Sequence, residues 1–181
     1  TYASRVGEET FNLTKDRATR DSIRFYSGYA KKIYALNPDL LHVLPTSAEF
    51  LPYSHIDLGE WRPVSKVRTS DETLRVGHAP SNRAIKGTDI VCRVVEKLQR
   101  NGYPVELILI EGITNEQAKR CYEAVDIFVD QLFVGWYGGL AVEAMALGKP
   151  VIAYIRDEDL RFLSSEMAEE LPIIRATPDT I

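Results

Sequence analysis

The chain has two cysteines in 181 residues, too few for a disulfide framework, and Cys92 and Cys121 lack the spacing of metal ligands. Isolated thiols of this kind fit a reducing compartment, so a cytoplasmic location is expected. No apolar run approaches the roughly 20 residues that span a bilayer, and no charged start leads into the apolar stretch of a signal peptide. A soluble protein is therefore expected. Charge of one sign is also scarce: 22 Lys and Arg stand against 26 Asp and Glu, a net charge of -4. That balance gives no reason to expect nucleic acid or an anionic membrane as the main partner. Internal repeats, low-complexity tracts and clusters of His, Asp and Glu with metal-ligand spacing are missing too. What remains is an ordinary globular composition, long enough for a domain of about 100 to 150 residues with something added. Because residue 1 is Thr and Ile181 follows what reads as a strand and its loop, a fragment of a longer polypeptide is expected.

Periodicity divides the chain at about residue 71. Before it, Ile23, Tyr26, Ala30, Ile33 and Tyr34 recur with helical spacing among Arg20, Arg24, Lys31 and Lys32, which predicts an amphipathic helix over 19–36. Residues 40–44 read as a short strand, and 45–71, with Pro45, Pro52, Gly59 and Pro63 and little periodicity, as a linker. After it, strands at 74–78, 105–110, 127–132, 151–155 and 172–175 alternate with helices at 86–100, 115–124, 140–147 and 158–170. Alternation with short connections implies an α/β fold, a Rossmann-like doubly wound parallel sheet preceded by a helical and linker segment. Ligands of such sheets bind beyond the carboxyl ends of the strands, where the strand order reverses.

The most informative stretch is Gly135 to Pro150, a glycine-rich loop running into a short helix. Gly138 and Gly139 let the backbone approach a ligand, and the first N–H groups of the helix have no partner within it, which suits an anion. Gly148 and Pro150 end the helix. Glu143 stands among Ala141, Val142, Ala144, Met145, Ala146 and Leu147 with no Lys or Arg four residues on, so its carboxylate needs a hydrogen-bonding partner. Lys86, and with it Arg83, follows the first strand of the alternating region, where a cation would meet a diphosphate held at that helix end. Read in isolation, Lys86 and Arg83 are solvated loop charges and the glycines an ordinary turn. The three histidines carry weaker weight: His42 and His55 read as ordinary polar residues of the linker, and His78 either meets substrate or fixes its loop. Trp136 and Tyr137 either stack on a sugar or pack at an interface.

Lys86-Gly87-Thr88, the segment Tyr122-Glu123-Ala124-Val125-Asp126-Ile127-Phe128-Val129, and Tyr137-Gly138 through Pro150-Val151 together resemble the carboxyl-terminal nucleotide-sugar-binding domain of group 1 glycosyltransferases, glycosyltransferase family 4, of GT-B fold. The resemblance covers residues 74–175 best. It implies that 1–71 is a remnant of the amino-terminal domain with the interdomain linker, and that 72–181 is the donor-binding domain, truncated at its carboxyl end. It implies transfer of a sugar from a UDP-, GDP- or ADP-sugar to a sugar, lipid-linked or protein acceptor, with retention of configuration and without a metal or other cofactor. A lipid-linked acceptor is compatible with peripheral membrane association of the full-length protein. By the same resemblance Glu143 binds the ribose hydroxyls, Lys86 contacts the diphosphate, the amides of Gly138, Gly139 and Leu140 lie near the phosphates, and Ile113 packs against the base; Arg83 is expected at the diphosphate from its place in the loop alone. Lys86 and Glu143 are the expected catalytic residues.

Two positions depart from the family pattern. A second glutamate common eight residues before the first is Gly135 here, and an arginine common five residues before the lysine is Ser81. Asn82 or Arg83 is the substitute at hand for the arginine, and Asp130 or Gln131 for the carboxylate. These departures leave a second reading open, a catalytically degenerate module that binds a nucleotide or a protein. A nucleotide-sugar epimerase is a third, ranked lower because Pro80 and Arg83 stand where a dinucleotide fingerprint needs closely spaced glycines.

Overall fold

The computed structural model describes residues 13–53, 55–63 and 72–181, with side chains from residue 17 onward. Its centre is a five-stranded, all-parallel sheet of β3 (Leu74–His78), β4 (Val105–Leu109), β5 (Ile127–Val129), β6 (Val151–Ala153) and β7 (Ile173–Arg175), in the order β4-β3-β5-β6-β7. Between them lie the helices α2 (Arg83–Lys86), α3 (Thr88–Arg100), α4 (Asn115–Ala124), α5 (Gly139–Ala146) and α6 (Ser165–Glu170), with a 3-10 helix at Asp157–Phe162. The α/β alternation expected from the sequence is therefore present, consistent with a Rossmann-like fold. The chain steps from β3 out to β4 and then returns to lay β5 against the other side of β3. The strand order thus reverses between β3 and β5, and the loops after these two strands meet at that point.

Both faces of a parallel sheet need apolar cover. On one face Val91 and Val95 of α3 pack with Val76, Val105 and Val129. On the other Tyr122 of α4 and Leu140, Ala141 and Ala144 of α5 pack with Phe128, Val151, Ala153 and Ile173. Gly77 is the close-approach position, since a Cβ there would lie 2.6 Å from the Phe128 ring. The helix α4 begins where its chemistry predicts, with Thr114 and Gln117 forming a reciprocal capping box.

The amino-terminal region differs from expectation. The helix α1 spans Leu13–Ser27 and ends at Gly28, not at residue 36. Ile33–Ala35 forms a strand, β1, that pairs in parallel with β2 (Ala48–Phe50), so cross-strand pairing overrides the helical spacing of Ile33 and Tyr34. The strand expected at 40–44 is a 3-10 helix, Pro38–His42, started by the fixed φ of Pro38. The expected linker contains β2, and its last part, 64–71, lies outside the described residues. The helix expected at 158–170 divides in two because the Ser164 side chain caps a new helix, accepting from the Met167 N–H. The strands expected at 127–132 and 151–155 end at Val129 and Ala153.

The described part of 45–63 is a strap laid over the sheet domain. Phe50 meets Trp136 edge-on at 5.5 Å, Tyr53 packs on Tyr137 at 6.1 Å, and Trp61 packs on Tyr122 at 6.3 Å with the Lys119 ammonium 5.1 Å above its ring. Among the described residues no helix is long and apolar enough to cross a membrane.

Candidate functional site

The loop after β3 bends twice to deliver Lys86. Asn82 caps α2, accepting from the Ile85 N–H at 3.0 Å. Gly87 then turns the chain into α3 with φ +78, a left-handed conformation, while Leu132 leaves only 3.2 Å for a Cβ. Thr88, fully buried, ends the turn on His78: the His78 ring nitrogens lie 2.7 Å from the Val129 carbonyl and 2.9 Å from the Thr88 hydroxyl. A neutral imidazole satisfies both contacts by donating from Nδ1 to the carbonyl and accepting at Nε2 from the hydroxyl. Burial pushes this imidazole below its ordinary pKa, against the opposing pull of the carbonyl. His78 therefore fixes the loop and ties β3, β5 and α3 together.

The loop after β5 is equally fixed. Tyr154 N–H donates to the Gln131 carbonyl and Arg156 N–H to the Gly135 carbonyl, both at 2.9 Å, and the Gln131 side chain donates to the Trp136 carbonyl. Trp136 and Tyr137 are buried in the core, so of the two readings open to them packing is the one the structure bears out. Gln131 is buried, with its side-chain nitrogen taken up by that bond.

Lys86 and the glycine loop meet at Asp130. This carboxylate, fully buried, accepts from Lys86 Nζ at 2.6 Å and from the Gly138 N–H at 2.5 Å. The cation, the first amide at the end of α5 and a buried anion form one cluster where the strand order reverses. Gly138 has no side chain to cap α5, and a Cβ there would come within 2.9 Å of Lys86 Nζ. Glu143 lies one turn further along α5, half-buried. Burial raises its carboxyl above the ordinary range, and the His55 imidazole, 3.8 Å away, draws it the other way. Its neighbour Tyr122 has a phenol pushed up to about 12, first by burial and then by the Glu143 charge.

Other expected site residues stand further out. Arg83 forms a two-pronged pair with Glu111, at 2.9 and 2.5 Å, joining the loops after β3 and β4 and holding the Glu111 carboxyl below its usual range. Asn82 is occupied as a cap. Ile113 is 43% exposed beside Gly112, which has φ +66. Gly135 faces the Arg156 side chain, whose Cβ would lie 2.7 Å from a Cβ built there. His55 is the residue that sequence reasoning set aside and the structure brings in. Its ring is 3.3 Å from a Cβ built on Gly139, and no local pattern signals a contact between residues so distant in the chain.

An apolar hollow of about 340 Å³ lies between α3 and the opposite sheet face, lined by residues such as Val95, Leu98, Ile127, Ile152 and Ile181. It offers a phosphate no partner, so the polar cluster at the sheet edge is the stronger candidate. Among the described residues no group of three His, Cys, Asp or Glu side chains is placed to hold a metal ion. No known family model matches the chain, and no curated protein matches it.

Proposed function

We propose that the chain is the donor-binding part of a group 1 glycosyltransferase of GT-B type, which transfers a sugar from a nucleotide diphosphate sugar to an acceptor with retention of configuration. The observation that carries this reading is the placement of Lys86, the start of α5 and Glu143 along the edge where the strand order reverses, with Asp130 holding Lys86 and the Gly138 N–H there. Each group has a chemical role in it. Glu143 accepts the ribose hydroxyls, the amides of Gly139 and Leu140 receive the diphosphate, and Lys86 and the Gly138 N–H join them once a phosphate takes the place of Asp130 as their acceptor. Cleavage of the sugar–phosphate bond builds negative charge on the leaving diphosphate, so these groups bind the transition state more tightly than the ground state. The resemblance of 74–175 to the family supports the reading, as does the parallel sheet.

The test is calorimetric titration of the 181-residue chain with UDP, GDP and ADP and then with their sugar forms. Selective binding of one base supports the reading and names the donor class; no binding to a folded chain removes it. Two observations favour the second reading, a degenerate binding module. Arg156 closes the place of the second carboxylate at Gly135, and Lys86 is already paired with Asp130. Turnover of the bound nucleotide sugar by the full-length protein separates the two.

A further inference from the structure

We propose that His55 is a ligand-contacting residue of the same site, donating from its imidazole to a phosphate oxygen held at the start of α5; this rests on the nucleotide reading above. The strap carries His55 across the sheet edge and sets its ring on the first turn of α5, against Gly139, with Nε2 3.8 Å from Glu143 Oε1. The ring thus lies beside both features that take the ligand in that reading, the first turn of the helix and the carboxylate.

Its position is built from below. Tyr53 meets the ring edge-on at 5.9 Å, donates its hydroxyl to Asn37 Oδ1 at 2.8 Å and packs on Tyr137 immediately before Gly138. The imidazole stays 43% exposed, so it is open to a ligand. An imidazole N–H beside a helix amino terminus, where the helix amides also point outward, favours an anion as its acceptor. Glu143 supplies part of that anion in the free protein, and a diphosphate would supply more.

The experiment is calorimetry of the parent chain, His55→Ala, His55→Gln and Glu143→Ala with UDP, GDP and ADP, after thermal melts show each variant folded. The proposal expects His55→Ala to weaken binding of the nucleotide that the parent takes by about tenfold. It expects His55→Gln, which keeps an N–H donor, to fall between. Equal or tighter binding by both His55 variants, with Glu143→Ala still weakened, overturns the proposal and makes His55 a plug that the ligand displaces, while the nucleotide reading stands. No binding by the parent removes that reading, and this one with it.

Discussion

Replacing Lys86 by Met tests whether the charged cluster holds the loop after β5 in place. Met is close to Lys in length and removes only the ammonium. Asp130, fully buried, then keeps one of its two donors, the Gly138 N–H. Stranding a buried carboxylate in this way costs about 3–5 kcal/mol, a large part of the total stability of a domain this size, about 5–15 kcal/mol. Lys86 is only 12% exposed, so water screens little of the loss. Asp130→Asn keeps an acceptor for Gly138 but leaves the mostly buried ammonium without its carboxylate, which costs about 1–3 kcal/mol. Combining Lys86→Met with Asp130→Asn removes both charges, so the double variant loses less than Lys86→Met alone. Urea unfolding of the four proteins, compared at a common slope, gives these values as a double-mutant cycle. A Lys86→Met chain within about 1 kcal/mol of the parent, or costs that simply add, would refute the reasoning.

Three further outcomes follow from the same packing. The pKa of His78 is lowered on folding, so its contribution to stability is complete above the ordinary imidazole value of about 6.5 and is lost as pH falls below it; Thr88→Val strands Nε2 and costs about 1–3 kcal/mol in urea unfolding at neutral pH. Asp39 is raised by burial, with the Asp159 charge adding to it and Arg156 opposing, so its contribution is complete at acid pH and lost as pH rises through the raised value. Asp39→Asn should therefore gain on the parent from about pH 4 upward, measured by thermal melts across pH, and a constant difference would exclude this. Gly135→Ala drives a methyl into Arg156 at 2.7 Å and should lower stability by about 1–3 kcal/mol; an unchanged melting temperature would show that Arg156 yields freely.

The parts of the fold legible in the sequence are those where local chemistry and tertiary packing agree. The helix α4 matches its expected bounds, Asn115–Ala124, because the Thr114 cap and the apolar spacing ending at Tyr122 specify the same segment. The helix α5 and the strand β6 were readable from Gly148, at φ +73, and from the apolar run after Pro150. The stretch 19–36 misled because Ala30, Ile33 and Tyr34 continue a helical spacing past Gly28, while the pairing of Ile33–Ala35 with Ala48–Phe50 decides the outcome. The site was legible as a meeting of loops, since a parallel sheet brings its carboxyl ends together. Its pairings were not: Lys86 with Asp130, Arg83 with Glu111, Arg156 against Gly135 and His55 with Glu143 all join different elements. The distances that make them are set only by the assembled fold.

The account depends most on Glu143 taking the ribose hydroxyls beside the start of α5. The direct measurement compares a nucleoside diphosphate with its 2′,3′-dideoxy form, by calorimetry, on the parent chain and on Glu143→Ala. The account predicts that the parent prefers the hydroxylated ligand by about 1–3 kcal/mol and that the variant binds both with the weaker affinity. Equal affinities on the parent, or a preference that survives in Glu143→Ala, would contradict it.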